Sequence, residues 1–151
     1  MKSKQVLDVQ QMQHLQELGM KMDYDTLYRY VKFEDTDWLL KPFSDLNIIG
    51  ISCKYIPAYT LQDVLDALPL QIEIPLHPER GKYELRIKRF IFDKRRVMHA
   101  VLYEKDDYID WFVMQSYETL IDAAYEMLVW CIENGYVETK KSKQGNDMRH
   151  V

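Results

Sequence analysis

The side chains able to do chemistry are few and scattered. The four histidines are His14, His77, His99 and His150, and the two cysteines are Cys53 and Cys131. None of the histidines has a second His or Cys at metal-ligand spacing. His99 alternates with Val97 and Val101, the pattern of a strand, and reads as a rim histidine rather than a base. Cys131 falls on the apolar arc of a helical pattern with no His near it in sequence, which argues against a nucleophile. Asp110 and Glu126 are the other candidate acid–base groups. Nothing in the spacing of His99, Asp110, Glu126 and Cys131 brings a nucleophile and its activator together. Asp106, Asp107 and Asp110 form an acidic cluster that reads as a solvated turn before it reads as a cation site. Gly19, Gly50, Gly81, Gly135 and Gly145 are the only glycines, so neither a P-loop nor a dinucleotide-binding glycine loop exists. The expectation is a protein without catalytic residues, metal or cofactor.

Charge and aromatic residues carry more signal. Between Arg80 and Arg96 lie Arg80, Lys82, Arg86, Lys88, Arg89, Lys94, Arg95 and Arg96 against Glu84 and Asp93. From Glu104 to Glu138 nine carboxylates face Lys105 alone. Two readings follow. Neighbouring strands pair opposite charges across a sheet, or Arg86, Lys88, Lys94, Arg95 and Arg96 form a surface for an anionic partner, nucleic acid included. Against the second stands the net charge of −4, which gives no long-range attraction to phosphate. Trp111, Tyr125, Trp130 and Tyr136 stand near charged faces. Because Tyr and Trp are the usual interface anchors, they make a candidate surface for a protein partner or for self-association. That is the leading functional expectation, with nucleic-acid binding through the 80–96 hairpin as the alternative.

The elements that must position these residues follow from periodicity. In SYETLIDAAYEMLVWCIENG (116–135), Leu120, Ile121, Ala124, Met127, Leu128, Cys131 and Ile132 share one helical arc, opposite Glu118, Asp122, Glu126 and Glu133. Gly135 ends the helix and Asn134 caps it. Tyr125 and Val129 lie among the carboxylates, as on a helix edge half covered by a neighbour. A second helix spans 60–68, opened by a Thr60–Asp63 capping box and closed by Pro69. Thr119 and Asp122 repeat the Thr-Leu-x-Asp start. A short first helix begins at the Asp8 cap with Gln11 completing a capping box, Leu7 and Met12 as a hydrophobic staple, and Gly19 at its end. Its narrow stripe (Val9, Met12, Leu15, Leu18) predicts packing at the edge of the core. Strands are expected at 27–33, 38–40, 48–56, 70–74, 83–92, 97–103 and 108–114. Ile49, Ile51, Cys53 and Tyr55 share one face, as do Tyr83, Leu85, Ile87 and Ile91. Short polar connections make the 83–92, 97–103 and 108–114 strands an antiparallel meander.

Together these predict an α+β fold: a mainly antiparallel sheet of about five to seven strands, with the 60–68 and 116–134 helices packed on it and the short helix at its margin. Residues 1–137 form the predicted domain and 138–151 a disordered polar tail. Hydrophobic residues make up 47% and charged residues 29% of the 151 positions, an ordinary globular composition. No apolar run is long enough to span a bilayer and the first residues have no leader-like core. Two cysteines far apart fit free thiols. The expected setting is the cytoplasm, with no membrane partner.

Three stretches carry a resemblance: QMQHLQELG (11–19), PAYTLQDVLDALP (57–69) and TLIDAAYEMLVWCIENGY (119–136). They resemble a family of small uncharacterised proteins of phages and mobile elements of gut bacteria. The helix–strands–helix skeleton is similar to phage αβα-sandwich domains and, more distantly, to antitoxins of the HicB kind. The resemblance implies an accessory protein of a phage or mobile element and supplies no catalytic residues. The element order is also superficially similar to a double-stranded-RNA-binding domain, but the last helix here is acidic.

Overall fold

The computed structural model describes residues 4–42, 44, 53–105 and 111–139. Among these residues three helices and seven strands make an α+β fold: α1 (Val9–Glu17), β1 (Tyr28–Lys32), β2 (Leu39–Pro42), β3 (Lys54–Ala58), α2 (Leu61–Ala67), β4 (Gln71–Glu73), β5 (Lys82–Asp93), β6 (Arg96–Glu104), β7 (Trp111–Tyr117) and α3 (Leu120–Glu133). A 3-10 turn over Pro78–Arg80 leads into β5.

The strands form two antiparallel sheets, in the orders β2-β1-β3 and β4-β5-β6-β7. The second contains the expected meander and feeds α3. The edges of the first sheet carry a local mark. Both of its outer strands carry a proline, Pro42 in β2 and Pro57 in β3, and a residue without an N–H belongs at a sheet edge. Val6 and Leu7 continue past β3, bridging Thr60 and bonding the Tyr59 carbonyl at 2.9 Å.

The helix signals act where the sequence puts them. Asp8 and Thr60 both close capping boxes, with Gln11 and Asp63. Two helices end in Schellman turns. Gly19 and Gly135 have φ of 92° and 81°, and Met20 N–H bonds Leu15 C=O as Tyr136 N–H bonds Cys131 C=O. α1 is nevertheless central rather than marginal: Leu7, Met12 and Leu15 are fully buried, and the helix packs on β3. Its stripe is narrow: Met12 and Leu15 are buried, while Val9 and Leu18 at its ends are only half-buried.

α3 lies across β6 and β7 and against α2. Ile121, Ala124, Met127, Leu128, Cys131 and Ile132 join Ile56, Tyr59, Val64, Tyr83, Val101 and Tyr103 in one core that draws on both sheets. Cys131 Sγ donates to the Tyr103 hydroxyl at 3.9 Å, and that hydroxyl donates to the Pro69 carbonyl at 2.7 Å.

Two expectations are corrected. α3 starts after Thr119, not Ser116, because Ser116 and Tyr117 still pair with Ala100 and His99 of β6. In β3 the buried residues are Ile56, Pro57 and Ala58, while Tyr55 is 54% exposed and turned outward. Ile49 and Ile51 lie outside the described residues, as does the predicted tail beyond Thr139. Thr139 itself is buried.

Candidate interaction surface

The aromatic residues expected to meet a partner are largely used inside the molecule. Tyr125 is only 6% exposed, and burial pushes its hydroxyl up to about 12, aided by the Glu126 and Asp8 charges. The N-terminal segment covers this side of α3: Lys4 Nζ and Gln11 Nε2 donate to Asp122 Oδ1 at 2.9 and 3.0 Å. Trp130 and Tyr136 stack on each other, centroids 5.4 Å apart and planes 15° apart. That stack is the apolar contact that accompanies a Schellman turn, between the second residue past the cap and the last helical turn. Phe112 meets Trp130 edge-on at 5.7 Å and Tyr83 at 5.7 Å, and Lys105 Nζ lies 5.0 Å from the Tyr83 centroid. These rings seal one end of the β5–β7 sheet against α3. The β7 backbone includes Trp111, paired with Glu104; its side chain lies outside the described residues.

The basic residues divide into two groups. Arg86 pairs with Glu84, and Lys88 Nζ reaches Glu104 at 2.9 Å. Lys88 stands opposite Ala100, and Arg86 opposite Leu102, so the Lys88 side chain runs back past Leu102 to reach Glu104. Stems laid along the sheet in this way cover apolar surface, and Ala100 and Leu102 are buried. Lys88–Glu104 is thus a pair across β5 and β6, whereas Arg86–Glu84 lies within β5. Arg96 stands 4.0 Å from Glu118 in an exposed pair. Arg89, Lys94 and Arg95 have no carboxylate within ion-pair distance among the described residues.

The unpaired cations sit on a feature that periodicity did not reveal. β5 and β6 outrun their neighbours. β4 pairs with β5 only over Lys82–Glu84, and β7 pairs with β6 only from His99 onward. From Phe90 to Met98 the β5–β6 hairpin projects as a two-stranded arm, with Ile87 to Arg89 at its base beside β6 residues that β7 still pairs. Tyr83, Leu85, Ile87 and Ile91 share a face as expected, but only its near end is covered. Ile87 is 47%, Ile91 74% and Phe92 69% exposed, and Phe90 and Val97 are exposed as well. The register shifts between Ile91 and Asp93, which places a bulge at Phe92. The exposure of Ile87, Arg89, Phe90, Ile91 and Phe92 is not legible in the sequence. Their signal was a strand too long for its partners, visible only once pairing is known.

The described acid–base candidates do not converge. His99 borders a depression of about 290 Å³ with Lys4, Leu61, Glu118, Thr119, Leu120 and Ile121, and no carboxylate hydrogen bonds to it among the described residues. Cys131 is buried with its thiol pushed up to about 11 by burial, the opposite of nucleophile activation. Glu126 is half-buried on α3, and Asp110 lies outside the described residues, as do Asp106 and Asp107. No three metal-ligating side chains come together among the described residues, and no described helix is long and apolar enough to cross a membrane. Comparison with protein-family models, curated proteins and solved structures finds no match.

Proposed function

We propose that this protein is a non-catalytic binding module that acts on another protein through the β5–β6 arm. The observation that carries the reading is the exposure of Ile87, Phe90, Ile91, Phe92 and Val97 on a single hairpin that leaves the core. Single exposed apolar residues are ordinary, but Ile87, Ile91 and Val97 gather on one face of the hairpin, and exposed apolar residues gathered in this way mark an interaction site. The reading replaces Tyr125, Trp130 and Tyr136 as anchors, since packing already occupies them. It also suits an accessory protein of a phage or mobile element working in the cytoplasm, the setting implied by the resemblance of the three helical stretches.

Arg89, Lys94 and Arg95 give the arm a basic character that favours an acidic partner surface. The test is capture from the native host by wild type and by an Ile91→Ser, Phe92→Ser double variant. Both substituted side chains are exposed, so the fold should persist and the partner should be lost. Equal capture by both proteins would refute the arm as the surface. A parallel titration with duplex and single-stranded oligonucleotides across a salt series covers the nucleic-acid alternative. Affinity that falls steeply with log salt, and drops on Arg95→Glu, would favour that alternative.

A further inference from the structure

Beyond Leu85, one edge of β5 has no strand beside it among the described residues. The Leu85 N–H closes on the Leu70 carbonyl at 2.9 Å, so Leu85 turns its backbone groups toward β4 and away from β6. Alternate residues of an antiparallel strand turn theirs the same way. Ile87, Arg89 and Ile91 therefore present N–H and C=O on that side, past the last residue that β4 covers. No described strand pairs with them there. Their side chains share one face in the order apolar, cationic, apolar, and all three are exposed.

We propose that this edge takes an extended peptide segment of the partner as an added strand, and that the segment reads apolar–x–acidic–x–apolar. This rests on the arm being the interaction surface and names what it recognises. Backbone hydrogen bonds to Ile87, Arg89 and Ile91 would give affinity, and the side chains facing those three would give specificity. The two apolar positions would lie beside Ile87 and Ile91. The acidic one would face Arg89, which has no carboxylate within ion-pair distance among the described residues. A second copy of this chain is the poorer occupant. A two-fold pairing that matches Ile87 with Ile91 sets Arg89 directly against its own copy, and like charges opposite each other on neighbouring strands repel. Cations on an exposed edge are a common guard against such self-pairing.

The test is fluorescence anisotropy of the full chain with a labelled nine-residue peptide of alternating Thr and Val around a central Glu. Two companion peptides carry a central Lys, or N-methyl groups on the amides that would face β5. Saturable binding of the Glu peptide is expected, with about tenfold weaker binding of the Lys peptide and none of the methylated one. Arg89→Glu should invert the preference between Glu and Lys. Equal binding of the Glu and Lys peptides, undiminished binding of the methylated peptide, or no saturation would overturn strand addition. The methylated peptide probes the edge without altering the protein, so a folding defect in the variant cannot mask the result. If the Ile91→Ser, Phe92→Ser variant loses its host partner while these peptides fail, the arm stands and strand addition falls. A dimer in sedimentation that Arg89→Thr strengthens, by removing the like-charge pair, would assign the edge to self-pairing instead.

Discussion

Asp122 shows how the same local signal is put to two uses. Thr60 and Thr119 both cap a helix, each hydroxyl accepting the N–H of the Asp three residues on at 3.3 Å. Asp63 returns a bond to the Thr60 N–H at 2.9 Å. Asp122 instead gives Oδ1 to Lys4 and Gln11, and Gln11 also closes the capping box of α1. One carboxylate thus ties the N-terminal segment and α1 to the start of α3. Burial opposes its ionisation, but the hydrogen bonds from Thr119, Lys4 and Gln11 and the Lys4 charge outweigh that and hold it below the usual carboxylate range. A carboxyl depressed by folding stabilises the protein fully above its unfolded value, near pH ~3.9, and the stabilisation disappears as pH falls through the lower folded value. Asp122→Asn should therefore lower the melting temperature near neutral pH, by the equivalent of about 1 kcal/mol for a partly exposed pair. The gap from wild type should narrow in strong acid. Thermal melts across pH check this, and a gap that widens on acidification would contradict it. Both caps were legible in the sequence because capping is local. The long reach of Asp122 to Lys4 was not, because it depends on where the N-terminal segment docks.

At the scale of elements, α3 was legible because its apolar stripe repeats over several turns. Its start was not, since Ser116 and Tyr117 suit either a cap or a strand, and the ladder to Ala100 and His99 decides. The opposite arc misled for a similar reason. Periodicity marks Tyr125 as facing away from the main stripe, but the N-terminal segment covers that side too. Trp130 and Tyr136 look like anchors in sequence and serve as the apolar clasp of a helix end. Leu128 lies at the centre of the buried arc with no exposure. Leu128→Asp should cost several kcal/mol by placing a charge in the core. Urea unfolding reads this directly, and an unchanged midpoint would mean that the stripe is not the core. The arm gives the converse lesson. Alternation in β5 correctly says which residues share a face, but coverage of that face depends on β4 and β7 stopping short.

For the whole molecule, the α+β class and the meander into α3 follow from element types and short connections. The division into two sheets follows from pairing between distant segments, with Pro42 and Pro57 at the edges of the smaller one. Both sheets feed one core, and the arm is the described part of the second sheet that the core leaves uncovered. Net charge is −4, yet the arm carries Arg89, Lys94, Arg95 and Arg96 against Asp93, so the molecule presents a basic, apolar projection from an acidic body. On the proposed reading, such a distribution would orient an acidic partner toward the arm during encounter. The central claim is that partners meet the arm and not the body, and site-specific photo-crosslinking in the native host tests it most directly. A photoreactive residue at position 87 or 91 should give adducts with a partner protein, while one at position 133, exposed on α3, should give none. Adducts from position 133 with none from 87 or 91 would contradict the account.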